Sequence, residues 1–338
     1  MIRVAINGFG RIGRRVFRLA LKHPNIKIVA INDTADAKTL SHLLKYDSIH
    51  GVLSQDVSHS ESAIIINSDT FPLLNEKDIT KIDWEQYQPD FVVEATGKFK
   101  THGEIEYHIK NGAKRVVLSV PPIEDDIETV VLGVNELTLS GTETIISNAS
   151  CTTNNAAPMI AIMDKHFGVE QAYITTVHSY TSDQSLHDQP HRDLRRARAA
   201  GQSIVPTTTG AAKALTKIFP HLSNVIGGCG IRVPVANGSL TDITFNVKKT
   251  TTIEEVNSIF RKASETYLKG ILQYTEDPIV SIDIVGNPHS CIFDSQMTSV
   301  IGNMVKIIGW YDNETGYSSR ILDLICNLSD KNSFLSNK

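Results

Sequence analysis

Cysteine is scarce in this chain of 338 residues. Its 4 cysteines, Cys151, Cys229, Cys291 and Cys326, lie far apart with no CxxC pair. That spacing excludes a disulfide framework and a zinc knuckle, and it leaves a cytoplasmic protein with reduced thiols and no metal as the expectation. Long apolar runs are missing too: no stretch approaches the ~20 residues that span a bilayer. The opening MIRVAINGFG lacks the basic start, apolar stretch and small-residue cleavage site of a secretory signal. Positive charge is not in excess. The formal net charge of −4 gives no global attraction to nucleic acid or anionic membranes, so any anion site must be built locally. Low-complexity tracts, internal repeats and a long linker are absent.

What remains is an ordinary globular composition, 41% hydrophobic and 21% charged, in a chain too long for one core. Up to about residue 150, short β-branched runs alternate with helical patterns. Ile2–Ile6, Ile26–Ile31, Phe91–Ala95 and Arg115–Ser119 read as strands. Arg11–Leu21 and Ala37–Lys45 read as helices. This order implies α/β architecture with a doubly wound parallel sheet. Beyond residue 150 the strands come closer together: Tyr173–His178, Ile231–Val233, Leu240–Val247, Val280–Ile284 and Val305–Tyr311. An α+β domain with a largely antiparallel or mixed sheet is expected there. Tyr317–Leu328 is helical again, and the polar residues after it read as frayed.

Two constellations carry chemistry. Gly8-Phe9-Gly10-Arg11-Ile12-Gly13 is a GxGxxG between a strand and a helix. Gly8 permits the tight turn, Gly10 lets the backbone approach a pyrophosphate, and Gly13 allows close helix–sheet packing. The helix N-terminus offers free N–H groups to phosphates. Asp33 follows the second strand, about 20 residues past Gly13, where a carboxylate can accept from both hydroxyls of a ribose and repel a 2′-phosphate. The alternative is a structural glycine turn with a capping Asp33. The second constellation is Ser147–Asn155, small polar residues leading into the helical pattern Ala156–Phe167. Cys151 then sits near a helix N-terminus, where thiolate is favoured and backbone N–H groups can meet an oxyanion. Pro158 falls within that pattern and argues against its regularity outside the first turns. His178 ends a strand and is the candidate imidazole partner, against the reading of a hydrogen-bonded core histidine. Cys229, Cys291 and Cys326 read as core residues.

The stretches NGFGRIGR, SNASCTTN, TTVHSYTSDQ, DLRRARAA, TTTGAAKA, IRVP and WYDNETGY, in that order over nearly the whole chain, resemble the phosphorylating glyceraldehyde-3-phosphate dehydrogenase family. The resemblance implies a homotetramer whose subunits have a Rossmann domain, residues 1–149 joined by the C-terminal helix 314–338, and a catalytic domain, residues 150–313. It implies Cys151 as nucleophile and His178 as base. It further implies that the backbone of Arg11 and Ile12 meets the pyrophosphate and that Asp33 holds the adenosine ribose. Lys77 would lie near the adenine, Thr96, Gly97 and Ser119 would line the cofactor cleft, and Asn313 would hold the nicotinamide carboxamide. Thr181 and Arg232 would bind the phosphate of glyceraldehyde 3-phosphate. Ser150, Thr152, Thr209 and Gly210 would bind inorganic phosphate, with Arg196 reaching toward both. Hydroxyls, N–H groups and guanidinium forks suit that task in a chain of negative net charge.

The sequence departs from the family pattern in places. Lys77 stands where many relatives have Arg, Thr315 where Trp is frequent, and Asn155 where a second cysteine is common. Val235-Ala236-Asn237-Gly238 differs from the usual Thr-Pro-Asn-Val. Thr34 resembles relatives that use either dinucleotide, whereas Pro190 resembles those that prefer NAD. NAD is therefore the expected cofactor, with NADP open. The rival activities are an erythrose-4-phosphate dehydrogenase, which hydrolyses its acyl-enzyme, and an NADPH-using biosynthetic paralogue. A cofactor- or RNA-binding scaffold is the non-enzyme rival. The arginines Arg192, Arg195, Arg196 and Arg198 read mainly as a solvated or salt-bridged loop, and their lack of interleaved aromatics speaks against nucleic acid.

Overall fold

The computed structural model describes residues 1–336, with side chains to Asp330. The chain divides into two units. The first comprises Met1–Val130, Leu137–Ala149 and the residues from Ser318 onward; the second comprises Val131–Glu136 and Ser150–Tyr317.

The first unit opens with β1 (Ile2–Asn7), α1 (Arg11–Ala20), β2 (Ile26–Asn32) and α2 (Ala37–Lys45). A minimal pair, β3 (Tyr46–Asp47) and β4 (Gly51–Val52), precedes the antiparallel run β5 (Val57–His59), β6 (Ala63–Ile66) and β7 (Asp69–Leu74). Then follow β8 (Phe91–Glu94), α3 (His102–Lys110), β9 (Arg115–Leu118), β10 (Glu128–Thr129) and β11 (Ile145–Ser147). They form a 9-stranded sheet in the order β10-β11-β9-β8-β1-β2-β7-β6-β5, parallel from β10 to β7. This is the doubly wound Rossmann-type arrangement. The central strands are apolar runs because helices cover such sheets on both faces. Ala5, Val92, Val116 and Leu118 are fully buried with Trp84 and Ile105 in one core. Each large aliphatic there contributes about 1.5–3 kcal/mol relative to exposure. The meander β5–β7 has no counterpart in the strands read from sequence. Its tight turn passes through Asn67 at φ 54, a conformation asparagine tolerates.

The second unit contains α4 (Cys151–Phe167), β12 (Val169–Ser179), β13 (Val205–Thr207), α5 (Ala211–Ile218), β14 (Ile226–Val233), β15 (Ser239–Val247) and α6 (Ile253–Glu265). It continues with β16 (Leu272–Thr275), β17 (Cys291–Asp294), β18 (Ser299–Ile301) and β19 (Met304–Tyr311). The sheet is mixed, in the order β13-β14-β12-β15-β19-β17-β16, with β18 on β19. The last helix, α7, spans Thr315–Ser336. It therefore runs well past Leu328, where fraying was expected; residues 337–338 of the expected helix lie outside the described residues. Among the described residues no helix is long and apolar enough to cross a membrane.

Two expected strands are corrected. Val280–Ile284 is a turn: the Asp283 carboxylate accepts from Val280 N at 2.8 Å, and Val280 and Ile282 are 55% and 73% exposed with no strand partner. β-branched residues alone do not make a strand without a neighbour to pair with. The expected strand Ile231–Val233 begins earlier, at Ile226. Its first half, Gly227-Gly228-Cys229-Gly230, looks like a loop by composition. A Cβ at Gly228 would stand 2.8 Å from Ile174 O, so glycine is what permits this strand approach.

Candidate active site

In the second unit the strand ends and helix starts gather three of the expected residues. Ala149, at φ 54, turns the chain into α4. Ser150 caps the helix, its Oγ accepting from Thr153 N at 3.1 Å, and Cys151 is the first helical residue. Pro158 lies within α4 without ending it. The Cys151 Sγ stands 3.5 Å from His178 Nε2. His178 lies on β12 and is paired in register with Arg232 on the parallel neighbour β14, so the two side chains leave the sheet side by side.

The partners assign the imidazole tautomer. Nδ1 lies 2.7 Å from Ser179 O, so its proton is placed there and Nε2 presents a lone pair to the thiol. Arg232 Nη1 donates to the same Ser179 O at 2.9 Å and crowds Nδ1. The electrostatics follow from this crowding. Burial, then the Arg232 charge, hold the His178 pKa down to about 3. Burial raises the Cys151 pKa, while Arg232 pulls it back down. In this arrangement the pair is a neutral thiol donating to a neutral imidazole, next to a cation that favours thiolate once the proton leaves.

Tyr311 is the residue that sequence reading missed. Its hydroxyl lies 2.9 Å from both Thr152 Oγ1 and Thr176 Oγ1, and its ring meets His178 edge-on at 5.9 Å. It thereby ties the first turn of α4 to β12 and flanks the imidazole. The WYDNETGY stretch contains it, but nothing in that stretch shows that its partners lie so far back in the chain. Asn313 is oriented firmly: its Oδ1 accepts from Ser179 Oγ (2.8 Å), Ser239 Oγ (3.1 Å) and Gly238 N (3.3 Å). With the oxygen occupied, the amide nitrogen is the end left to hold a carboxamide oxygen.

The anion-binding candidates are spread more widely. Arg196 is held by Asp183 (2.6 Å), Thr207 Oγ1 (2.9 Å) and Thr208 O (3.2 Å), and its charge helps to depress the His178 pKa. Gly210 is the N-cap of α5 and offers no side-chain cap, while Thr209 Oγ1 accepts from Ala211 N at 3.2 Å in the first turn. Thr181 lies just past β12. Among the described residues no hydrogen bond links Thr181, Thr209 or Gly210 to the Cys151–His178–Arg232 group. Of the remaining arginines, Arg198 pairs with Asp188 at 3.0 Å, as a salt-bridged loop would.

The first unit has a cleft lined by Gly8, Gly10, Asp33, Lys77, Thr96 and their neighbours. Its geometry fits a dinucleotide. Gly8 has φ +92, and a Cβ at Gly13 would stand 2.0 Å from Gly8 O, whereas one at Gly10 would meet nothing within 4 Å. The turn thus needs two of its glycines for its own closure and leaves the third open to a ligand. α1 begins at Arg11 with no side-chain cap from Gly10, and a helix start of this kind suits a phosphate. The Arg11 side chain is engaged elsewhere, in a two-pronged pair with Asp47 at 2.9 and 3.1 Å. Asp33 accepts from Phe9 N (2.7 Å) and Ala35 N (3.0 Å), which fixes its carboxylate with lone pairs to spare for a ribose. Gly97 has φ +67, and Ser119, just past β9, is buried and donates its N–H to Glu94 O at 3.0 Å.

Residues 2–102 match the family model for the NAD binding domain of glyceraldehyde 3-phosphate dehydrogenase, and residues 150–313 match that for its C-terminal domain. Curated relatives extend the likeness over almost the whole chain. Glyceraldehyde-3-phosphate dehydrogenase 1 of Bacillus cereus is 48% identical over 333 residues, 98% of this chain and 99% of its own. Glyceraldehyde-3-phosphate dehydrogenase 2 of Streptomyces avermitilis is 51% identical, covering 96% and 97%. Glyceraldehyde-3-phosphate dehydrogenase 2 of Bacillus subtilis is 49% identical, covering 96% of each.

Proposed function

The chain belongs to the glyceraldehyde-3-phosphate dehydrogenase family, and from that premise we propose that it oxidises glyceraldehyde 3-phosphate with NAD and inorganic phosphate to 1,3-bisphosphoglycerate through a thioester on Cys151. The observation that carries the mechanism is the 3.5 Å approach of Cys151 Sγ to His178 Nε2, with Arg232 alongside.

His178 takes the thiol proton at Nε2 as the sulfur attacks the aldehyde carbon, then returns it to the carbonyl oxygen, which becomes the hydroxyl of a hemithioacetal. His178 then accepts that hydroxyl proton while the carbon gives up a hydride, which leaves the Cys151 thioester. NAD, when bound, supplies the hydride acceptor. Inorganic phosphate attacks the thioester carbon, the S–C bond breaks, and Cys151 leaves as a thiolate beside Arg232. First-turn N–H groups of α4 stabilise the oxyanion in both additions. Arg232 and Thr181 hold the substrate phosphate. Ser150, Thr152, Thr209 and Gly210 hold the attacking phosphate, with Arg196 reaching toward both. In the first unit, Asp33 holds the adenosine ribose, the α1 N-terminus the pyrophosphate, and Thr96, Gly97, Ser119 and Lys77 the rest of the cleft. Asn313 orients the carboxamide. The working form is a cytoplasmic homotetramer, as the family resemblance implies.

The test is NADH formation, followed by absorbance, from glyceraldehyde 3-phosphate and NAD with and without inorganic phosphate. Sustained turnover should require phosphate and vanish in Cys151→Ser. Turnover that continues without phosphate would point instead to an acyl-enzyme that water hydrolyses.

A further inference from the structure

Beneath the glycine turn lies a carboxylate that the reaction does not use. Glu94 ends β8, and it and His108 of α3 are each 0% exposed. Four donors converge on it. Asn7 Nδ2 (2.6 Å) and His108 Nε2 (3.1 Å) meet Oε2, while Thr96 N (2.8 Å) and Thr96 Oγ1 meet Oε1.

The direction of these bonds is fixed from their far ends. Trp84 Nε1–H, which can only donate, gives its hydrogen bond to His108 Nδ1 at 3.0 Å. Nδ1 is therefore bare, and the ring is neutral with its proton on Nε2, facing Glu94. On the other side Glu76 N donates to Asn32 Oδ1 (3.0 Å), Asn32 Nδ2 to Asn7 Oδ1 (2.8 Å), and Asn7 Nδ2 to Glu94. Asn32 cannot flip its amide, because its Nδ2 also donates to Glu76 O at 2.9 Å. Both chains of donors begin at groups that cannot reverse, and both end at Glu94. Only a group that accepts at every position, an ionised carboxylate, satisfies that meeting point.

Its location gives the network a use. Asn32, Asn7 and Glu94 are register neighbours at the carboxyl ends of β2, β1 and β8, where doubly wound sheets bind their ligands. Each immediately precedes a loop of the cleft: that of Asp33, that of Gly8, and the Ala95–Gly97 turn. Glu76 precedes Lys77. A Cβ at Gly8 would lie 2.6 Å from Thr96 N, so the position of Thr96 also sets that of the glycine turn. We infer that Glu94 is a positioning residue for the dinucleotide, its buried carboxylate tying four cleft loops into one preformed arrangement through Asn7, Asn32, Thr96 and the Trp84–His108 relay. The inference rests on the NAD reading above.

Glu94→Gln keeps the shape and introduces two hydrogens among converging donors. With the full-length protein, NAD binding measured by calorimetry should weaken about tenfold, the scale set by one buried donor left unpaired. The KM for glyceraldehyde 3-phosphate and kcat at saturating NAD should stay near wild type. A second pair of variants guards against a folding failure. Gln at His108 can accept from Trp84 and donate to Glu94, so His108→Gln should retain NAD affinity while His108→Leu loses it. Unchanged NAD affinity in Glu94→Gln, or equal losses in the two His108 variants, overturns the inference. Wild-type protein that binds no NAD would instead overturn the cofactor reading itself.

Discussion

Cys151, His178 and Arg232 illustrate how burial and one cation divide the work of a proton transfer. Burial holds the thiol protonated and the imidazole neutral, and Arg232 opposes the first effect and reinforces the second. Alkylation of Cys151 by iodoacetamide should therefore accelerate with pH beyond the range of an ordinary thiol. Replacing Arg232 by Leu removes the cation that favours thiolate. The alkylation rate near neutral pH should then fall about tenfold for each unit by which the thiol pKa rises. An increase in rate would contradict the assignment. The sign for stability follows from the same imidazole. His178 binds its proton near 6.5 when unfolded but only near 3 in the fold. The unfolded state therefore gains protons first, and stability is lost as pH falls from 6.5 toward 3. Urea melts of wild type and His178→Asn should show the steeper acid loss in wild type. The sequence marks Cys151 and His178 because capping residues and a strand end surround them. It does not mark Tyr311, whose partners Thr152 and Thr176 are distant in the chain and meet it only once α4, β12 and β19 are folded.

The start of α1 separates a glycine needed for the fold from one left for the ligand. A Cβ at Gly13 meets the Gly8 carbonyl oxygen at 2.0 Å, and that oxygen is backbone that cannot swing away. Gly13→Ala should cost about 1–3 kcal/mol of stability as overpacking. Gly10→Ala meets no protein atom and should cost at most about 1 kcal/mol as a poorer helix start, while still weakening NAD binding. Thermal melts and NAD titrations of the two variants check this, and equal destabilisation by both would refute the division. Ser150→Ala should remove about 1 kcal/mol through its lost cap on α4. Elements with clean periodicity, such as β1, α1, β2 and α2, are legible in sequence because one apolar face dictates each. β14 is hidden by glycines that its close packing against β12 requires, and 280–284 misleads because its β-branched residues have no strand to pair with. The meander β5–β7 escapes notice because its strands are short and partly exposed.

For the whole molecule, the family is that of an NAD-dependent oxidation of glyceraldehyde 3-phosphate. A ligand that binds only the folded chain raises its stability by about 2.7 kcal/mol at 100 times its Kd. NAD should therefore raise the melting temperature with the logarithm of its concentration once that exceeds Kd. NADP at equal concentration should raise it less, because its 2′-phosphate meets the Asp33 carboxylate. An equal or larger shift with NADP would show that Thr34 outweighs Asp33. The central claim is that oxidation stores the acyl group on Cys151 until phosphate removes it. The most direct test mixes excess protein and NAD with glyceraldehyde 3-phosphate in the absence of phosphate, then reads NADH by absorbance and the intact chain by mass spectrometry. The account predicts one NADH per aldehyde oxidised, a matching acyl adduct confined to Cys151, and loss of that adduct when inorganic phosphate is added. NADH formation with no adduct, or an adduct that phosphate leaves in place, would contradict it.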